Sequence, residues 1–101
     1  MKDLTTNEVK LLQENGKKLL IDFWATWCGP CKTLIPRLES FEGEYNDVEF
    51  VKVNVEENQE FAISLGIRNV PTVILTVGTE EMGRLVGVKP ESEYKSILDQ
   101  M

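Results

Sequence analysis

The alternation of apolar and polar residues divides the chain into predicted strands and helices. Residues 19–24 form an apolar and aromatic run broken by one carboxylate, which is typical of a central strand buried on both faces. Residues 48–55 alternate valines with lysine and asparagine, which predicts a second strand. Two further strands, at 72–77 and 83–86, are predicted to form a hairpin that turns through 78–81.

Apolar residues at helical spacing predict helices around these strands. The first, at 9–16, follows a capping box in which threonine is followed three positions later by glutamate. The others are predicted at 33–45, 57–65 and 92–100, and Pro36 is expected to kink the second helix. Because helices alternate with strands, the fold class is α/β, with right-handed crossovers that put helices on both faces of the sheet.

Composition and charge narrow the possible functions. With 101 residues, 42% of them hydrophobic, the chain fits one domain, residues 1–101, with a modest core. A net charge of −6 argues against nucleic acid as a main partner, because phosphate binding needs clustered lysine and arginine. No apolar run approaches the ~20 residues that span a bilayer, and the polar N-terminal segment lacks the apolar region of a signal peptide. We therefore expect a cytoplasmic protein with no membrane partner.

Both cysteines of the chain lie at the junction between the predicted strand 19–24 and the helix after it. A Cys-x-x-Cys pair in this place can close into a disulfide and open again, which predicts thiol–disulfide exchange. Cys28 is the expected nucleophile, because helix-end amides and the helix dipole favour a thiolate; Cys31, one turn further in, resolves the mixed disulfide. Gly29 is expected to let the backbone bend, and Pro30 suits a first helical turn.

Other uses of the cysteine pair are weaker hypotheses. Two buried structural cysteines are one alternative, which the spacing and the position between strand and helix disfavour. A zinc site is disfavoured because two thiolates cannot complete a tetrahedral shell, and the chain has no histidine. The lack of histidine also excludes Cys-His hydrolysis, so we expect no metal and no cofactor.

Asp22 interrupts the apolar run before the cysteines. At a sheet edge it would be solvated. In a central strand, which we favour, desolvation would raise its pKa, and it could act as a buried general acid/base that takes the Cys31 proton. Lys52, on the neighbouring predicted strand, is the candidate counter-ion, although a single lysine on an alternating strand is more often simply solvated.

Two loops offer candidate contacts to a substrate. Trp27 is either a core residue or, as its place after the strand favours, an exposed apolar platform. The dipeptide Val70-Pro71 precedes a predicted strand. A cis bond there would expose a backbone edge, to which a peptide substrate could add by hydrogen bonding.

Taken together, these residues resemble the thioredoxin family over essentially the whole chain. The resemblance is carried by residues 22–32, Pro36, 52–55, 70–72 and Gly87, and the Trp-Cys-Gly-Pro-Cys motif is its most specific part. It implies a central mixed sheet of four or five strands flanked by four helices. It also implies a monomeric protein-disulfide reductase that acts on disulfide-containing protein substrates and is itself reduced by a thioredoxin reductase.

The resemblance also implies a role for each site residue. Cys28 is the nucleophile and Cys31 the resolving thiol. Asp22 is the buried carboxylate and Lys52 its partner, and Pro71 is a cis-proline that faces the disulfide. The residues that line the docking surface are Trp27, Gly29, Pro30, Val70 and Gly87.

The chain departs from the family pattern in three places. The segment before the first helix is short, so the first strand is expected to be vestigial or missing. Residues 76–79 replace an aromatic residue and a turn near Asn-Gly, which is expected to reshape the hairpin turn and to remove core volume at Thr76. Asn69 stands in place of a small glycine and is expected to alter the docking groove.

Two rival functions use the same residues. The same fold can act as a disulfide oxidant or isomerase, but those members usually carry a histidine between the cysteines, and Gly-Pro resembles the reducing members. Alternatively, the chain is a structural subunit that docks a partner through Trp27 and Pro71 without redox chemistry. A Cys28→Ser, Cys31→Ser variant separates this second rival from exchange, because a purely structural role would survive it.

Overall fold

A computed structural model describes the chain from Met1 to Met101 as one five-stranded sheet with helices on both faces. In chain order the elements are β1 (Lys2–Asp3), α1 (Thr6–Glu14), β2 (Lys18–Trp24), α2 (Gly29–Glu39), β3 (Val48–Asn54), α3 (Gln59–Ser64), β4 (Thr72–Val77), β5 (Glu80–Val86) and α4 (Glu91–Leu98). The spatial order is β1-β3-β2-β4-β5. Because β2 is parallel to β3 and antiparallel to β4, the predicted α/β class with a mixed sheet is confirmed.

The central strand β2 carries the core on both of its faces. Leu19 packs in a cluster with Val9 of α1, whereas Leu20 packs in a second cluster with Leu34 of α2. All four side chains are fully buried. Since each buried leucine stabilises the fold by roughly 2 kcal/mol, a strand with apolar residues on both faces belongs at the centre of the sheet, as predicted.

The predicted bounds of the second helix are wrong. The helix predicted at 33–45 corresponds to α2, which begins and ends earlier, and a separate 3-10 turn at Glu42–Glu44 follows it. The early start follows from the cap, because Cys28 Sγ accepts a hydrogen bond from the backbone amide of Cys31 at 3.2 Å. Pro36 lies inside α2, and the kink expected there stays a prediction. None of the helices could span a bilayer, since the longest, α2, has 11 residues.

The predicted hairpin turn at 78–81 is also wrong. β5 begins at Glu80, which pairs directly with Val77, so only Gly78 and Thr79 form the turn. Gly78 has a φ of +58°, a left-handed conformation that two-residue hairpin turns use and that glycine adopts without strain. The turn is therefore two residues shorter than predicted, and its departure from the family pattern stays a prediction.

The first strand is vestigial, as expected. It has two residues, and Asp3 pairs with Lys52 on the edge of β3. The backbone amide of Leu4 continues the pairing by donating to the Lys52 carbonyl at 2.8 Å. The α-amino group of Met1 donates to the carboxylate of Glu39 at 2.8 Å, so the start of the chain is tied both to the sheet and to α2.

Thr76 brings an unsatisfied hydroxyl into the core. Its side chain is 3% exposed and its Oγ1 has no hydrogen-bond partner, next to a register shift in the β4–β5 pairing. Burying such a group costs about 1–3 kcal/mol. We expect Thr76→Val, which keeps the shape and removes the polar atom, to raise the free energy of unfolding by about 1 kcal/mol in urea titrations.

Thr72 provides the matched control for this substitution. It lies on the same strand and is 2% exposed, but its Oγ1 donates to the carbonyl of Asn69 at 2.6 Å. Thr72→Val breaks that bond and leaves the carbonyl without its partner, so stability should fall by about 1 kcal/mol. If the free energy of unfolding changed in the same direction in both variants, the hydrogen-bond partner of the hydroxyl would not determine the change in stability.

Candidate active site

The cysteine pair lies where β2 has ended and α2 begins. Cys28 is the N-cap residue of α2 and Cys31 lies in its first turn; the two Cα atoms are 5.4 Å apart and the sulfurs are joined in a disulfide. Cys28 is 3% exposed, whereas Cys31 is fully buried. The hydrogen bond from the Cys31 amide to Cys28 Sγ puts this sulfur at the helix N-terminus, where the amides stabilise a thiolate once the disulfide is reduced.

The two residues between the cysteines are exposed. Pro30 lies in the first turn of α2, where its missing amide proton costs no helical hydrogen bond. Gly29, which was expected to let the backbone bend, has no left-handed φ, and a Cβ built there would meet open space.

The loop before β4 lies against the disulfide. The peptide bond between Val70 and Pro71 is cis, and the Val70 carbonyl oxygen is 3.7 Å from Cys28 Sγ. The amide of Gly87, which has a φ of +82°, donates to the Pro71 carbonyl at 2.8 Å. The structure therefore places Val70 next to Cys28 and joins Pro71 to Gly87 through a backbone hydrogen bond.

Trp27 is an exposed platform, in agreement with its loop position. Its side chain is 70% exposed. Together with Asn69 and Val70 it lines a shallow cavity of about 120 Å³. Asn69 thus lies beside Trp27 and Val70, and its expected effect on the docking groove stays a prediction. Arg68, which the sequence analysis did not single out, also lines this cavity.

Glu56 fixes the loop that carries Trp27, and sequence reasoning missed it. Its carboxylate accepts hydrogen bonds from the Thr26 backbone amide at 2.9 Å and from the Thr26 hydroxyl at 2.8 Å. These bonds, the backbone one first, hold the pKa of Glu56 below its usual range. Two glutamates in a row at 56 and 57 gave no indication of which one would turn toward the loop.

Asp22 is fully buried in the middle of β2, so the alternative of a solvated edge position is wrong. Neither carboxylate oxygen has a hydrogen-bond partner. Burial raises the pKa of Asp22 to about 7; the positive charge of Lys52 opposes this shift, and the negative charge of Asp3 adds to it. A carboxyl group with this pKa can gain and lose a proton near neutral pH.

Lys52 lies opposite Asp22 in the β2–β3 register, but the two side chains form no ion pair. The Nζ atom lies 3.5 Å from Asp3 Oδ2 and 5.0 Å from the centre of the Trp24 ring. Lys52 therefore forms its ion pair with Asp3, although its positive charge still acts on Asp22, the partner that the resemblance implies. The reason is the short β1, which puts a second carboxylate next to the same lysine.

A cysteine pair that caps α2, on the sheet face that also carries a buried carboxyl group with its pKa raised to about 7, is the arrangement expected of a thiol–disulfide oxidoreductase. The comparisons with known proteins agree. A family model described as Thioredoxin matches residues 3–100. Thioredoxin-1 of Schizosaccharomyces pombe is 36% identical over 92 residues, which are 91% of this chain and 89% of that protein. The thioredoxin of Alicyclobacillus acidocaldarius is 40% identical over 86 residues, 84% of this chain and 82% of that one.

A solved structure gives the same result. The oxidised form of mitochondrial thioredoxin 3 from Saccharomyces cerevisiae matches with a TM-score of 0.87 and 37% identity, covering 98% of this chain and 94% of that chain. The chain therefore belongs to the thioredoxin family. It has the thioredoxin fold, and it is a thiol–disulfide oxidoreductase of the protein-disulfide reductase type.

Proposed function

We propose that this protein reduces disulfides in other proteins, with Cys28 as nucleophile and Cys31 as resolving thiol, and that a thioredoxin reductase restores the dithiol. The observation that carries the proposal is the unequal placement of the two sulfurs. Cys28 caps α2 and is slightly exposed, whereas Cys31 is fully buried behind it. Since Cys28 keeps 3% exposure and Cys31 keeps none, we expect an incoming disulfide to react at the first sulfur and the second sulfur to attack the first.

The exchange proceeds in two balanced steps. The Cys28 thiolate attacks one sulfur of the substrate disulfide, that disulfide breaks, and the other substrate sulfur leaves as a thiolate. Cys31 then loses its proton and attacks Cys28 Sγ, which releases the second substrate thiolate. The Cys28–Cys31 disulfide in the structure is the oxidised product, and two electrons have passed to the substrate.

Asp22 takes the Cys31 proton in the second step. Its pKa of about 7 lets the carboxylate accept a proton at neutral pH and return it when the dithiol is regenerated. Since neither oxygen is engaged in a hydrogen bond, both are free to receive the proton. Lys52 favours the charged form of Asp22 from the neighbouring strand.

The substrate docks on the surface around Cys28. Exposed Trp27 supplies apolar area at its edge. The Val70 carbonyl lies next to Cys28, so a peptide added along this backbone carries its disulfide to the nucleophile. The docking surface consists of Trp27, Gly29, Pro30, Val70, Pro71 and Gly87.

The cytoplasm is the compartment that suits this role. A dithiol that donates electrons has to be held reduced, and the cytosolic thiol systems keep cysteines reduced. Both cysteines of the chain belong to the exchanging pair, so none is committed to a structural cross-link that would need an oxidising compartment.

The test is the equilibrium reduction potential of the Cys28–Cys31 pair, titrated against a glutathione or dithiothreitol buffer and followed by Trp24 and Trp27 fluorescence. We expect a potential below the cytosolic glutathione pool, which lies at about −220 to −260 mV by extraction. A potential near or above that pool would contradict the reductant role and favour an oxidant or an isomerase.

A further inference from the structure

Two carboxylates flank one lysine across three neighbouring strands. The sheet register puts Asp3 of β1 and Asp22 of β2 opposite the same residue, Lys52 of β3. Residues opposite each other in a sheet project to the same face. This is the face that carries Leu20, two positions before Asp22, and that α2 and α4 cover. Lys52 therefore lies between two possible partners.

The lysine is held by the outer carboxylate. Its Nζ lies 3.5 Å from Asp3 Oδ2, and the other oxygen, Oδ1, accepts a hydrogen bond from Trp24 Nε1 at 2.8 Å. The same Nζ lies 5.0 Å from the centre of the Trp24 ring, within cation–π range. Asp3 and Trp24 thus hold the ammonium group together, while both oxygens of Asp22 are without a hydrogen-bond partner.

We infer that Asp3 is a positioning residue for the redox site: it holds Lys52 against Trp24 and thereby keeps the lysine from pairing with Asp22. This inference rests on the proposed role of Asp22 as the proton acceptor for Cys31. A carboxylate paired directly with a lysine would stay ionised well below neutral pH and would be a poor acceptor. The two-residue strand β1 therefore contributes to catalysis through the residue that it places beside Lys52.

The other elements around Asp22 contain few charges that could take over this role. β4 places Val73 opposite Asp22. α4 contributes Tyr94, whose pKa is raised by burial and, among smaller causes, by the negative charge of Asp22. α2 contributes the cysteine pair, while its Lys32 and Arg37 are exposed. Lys52 is therefore the cation whose charge acts on Asp22 against the effect of burial, and Asp3 holds that cation.

Asp3→Asn tests the inference with little risk to the fold, because the Asp3 side chain is 51% exposed and asparagine retains an oxygen for the Trp24 bond. We expect the pKa of Asp22, followed by the carboxyl carbon shift in NMR titrations, to fall by about 1 unit as Lys52 turns toward it. The pH midpoint of mixed-disulfide resolution should fall by the same amount. Asp47→Asn, which removes the carboxylate of the exposed Lys18–Asp47 pair, is the matched control and should move neither value.

A Lys52→Met background separates positioning from direct repulsion between the two carboxylates. If Asp3 acts through Lys52, Asp3→Asn has a much smaller effect on the pKa of Asp22 when the lysine is absent. An equal shift in both backgrounds, or no shift in either, overturns the inference. If Asp3→Asn shifts the pKa of Asp22 but leaves the pH midpoint of mixed-disulfide resolution unchanged, Asp3 does position Lys52. That result would contradict the proposed role of Asp22 as proton acceptor.

Discussion

Cys31→Ser is expected to stop exchange after its first step and to leave the substrate covalently attached to Cys28. The Cys28 thiolate can still attack a disulfide, but a serine hydroxyl in place of the buried thiol is not ionised and cannot displace the substrate sulfur. Turnover of a disulfide-bonded test protein should fall to background. Mass spectrometry under non-reducing conditions should show one substrate chain bound to the variant.

Cys28→Ser is the matched variant for this experiment. It loses the same cross-link, so any difference between the two variants comes from the position of the remaining thiol and not from the missing disulfide. Because Cys31 is fully buried, this variant should show neither turnover nor a stable adduct. An adduct on Cys31 in place of Cys28 would reverse the assigned roles.

The sheet and the redox pair were predictable because their patterns are local. The apolar run of β2 specifies a strand with two buried faces, and only the centre of the sheet provides them. The Cys-x-x-Cys spacing puts both sulfurs within one helical turn wherever that helix begins. The capping box at the start of α1 is equally local, since Thr5 and Glu8 satisfy each other's backbone amides.

The partner of Lys52, the position of the hairpin turn and the role of Glu56 were not predictable, because each depends on contacts between segments distant in sequence. Whether Lys52 meets Asp22 or Asp3 is decided by the register of β1 on β3, and two residues of strand carry too little pattern to predict it. The observed hairpin turn differs from the predicted one for a related reason. Gly78 indicates that a turn is present, but no local pattern predicts the register shift that follows Leu75 in the β4–β5 pairing. Glu56 acts on Thr26 across a gap in sequence that no periodicity describes.

Asp22→Asn is expected to make the protein more stable and the exchange slower. The pKa of Asp22 is raised from 3.8 to about 7, chiefly by burial, so ionised Asp22 destabilises the fold at pH 8. At about 1.4 kcal/mol per pKa unit, the ionisation penalty is roughly 4 kcal/mol. Asparagine has nearly the same shape and no charge. We therefore expect the free energy of unfolding to rise by about 2–4 kcal/mol at pH 8.

The pH dependence of the added stability of Asp22→Asn would show that it comes from removing the ionisable group. Between pH 3.8, where Asp22 titrates in the unfolded chain, and about 7, where it titrates in the fold, the folded protein binds the extra proton. The stability of the unsubstituted protein should therefore fall as the pH rises through this window, and the loss should be complete above it. Urea titrations should show the two proteins converging toward pH 4 and diverging toward pH 8. Asp47→Asn, the same charge change at an exposed site, should show no such divergence.

Asp22→Asn is also expected to slow one of the two steps of the exchange. Without a proton acceptor behind Cys31, resolution of the mixed disulfide should slow by roughly a hundredfold or more, while the first attack by Cys28 should keep its rate. Stopped-flow Trp fluorescence separates the two steps. A variant that is both slower and less stable by more than about 1 kcal/mol would mean that Asp22 is favourably paired in solution. A variant that is more stable and slower would show that the protein retains an unfavourably buried carboxylate because the second step of exchange requires it.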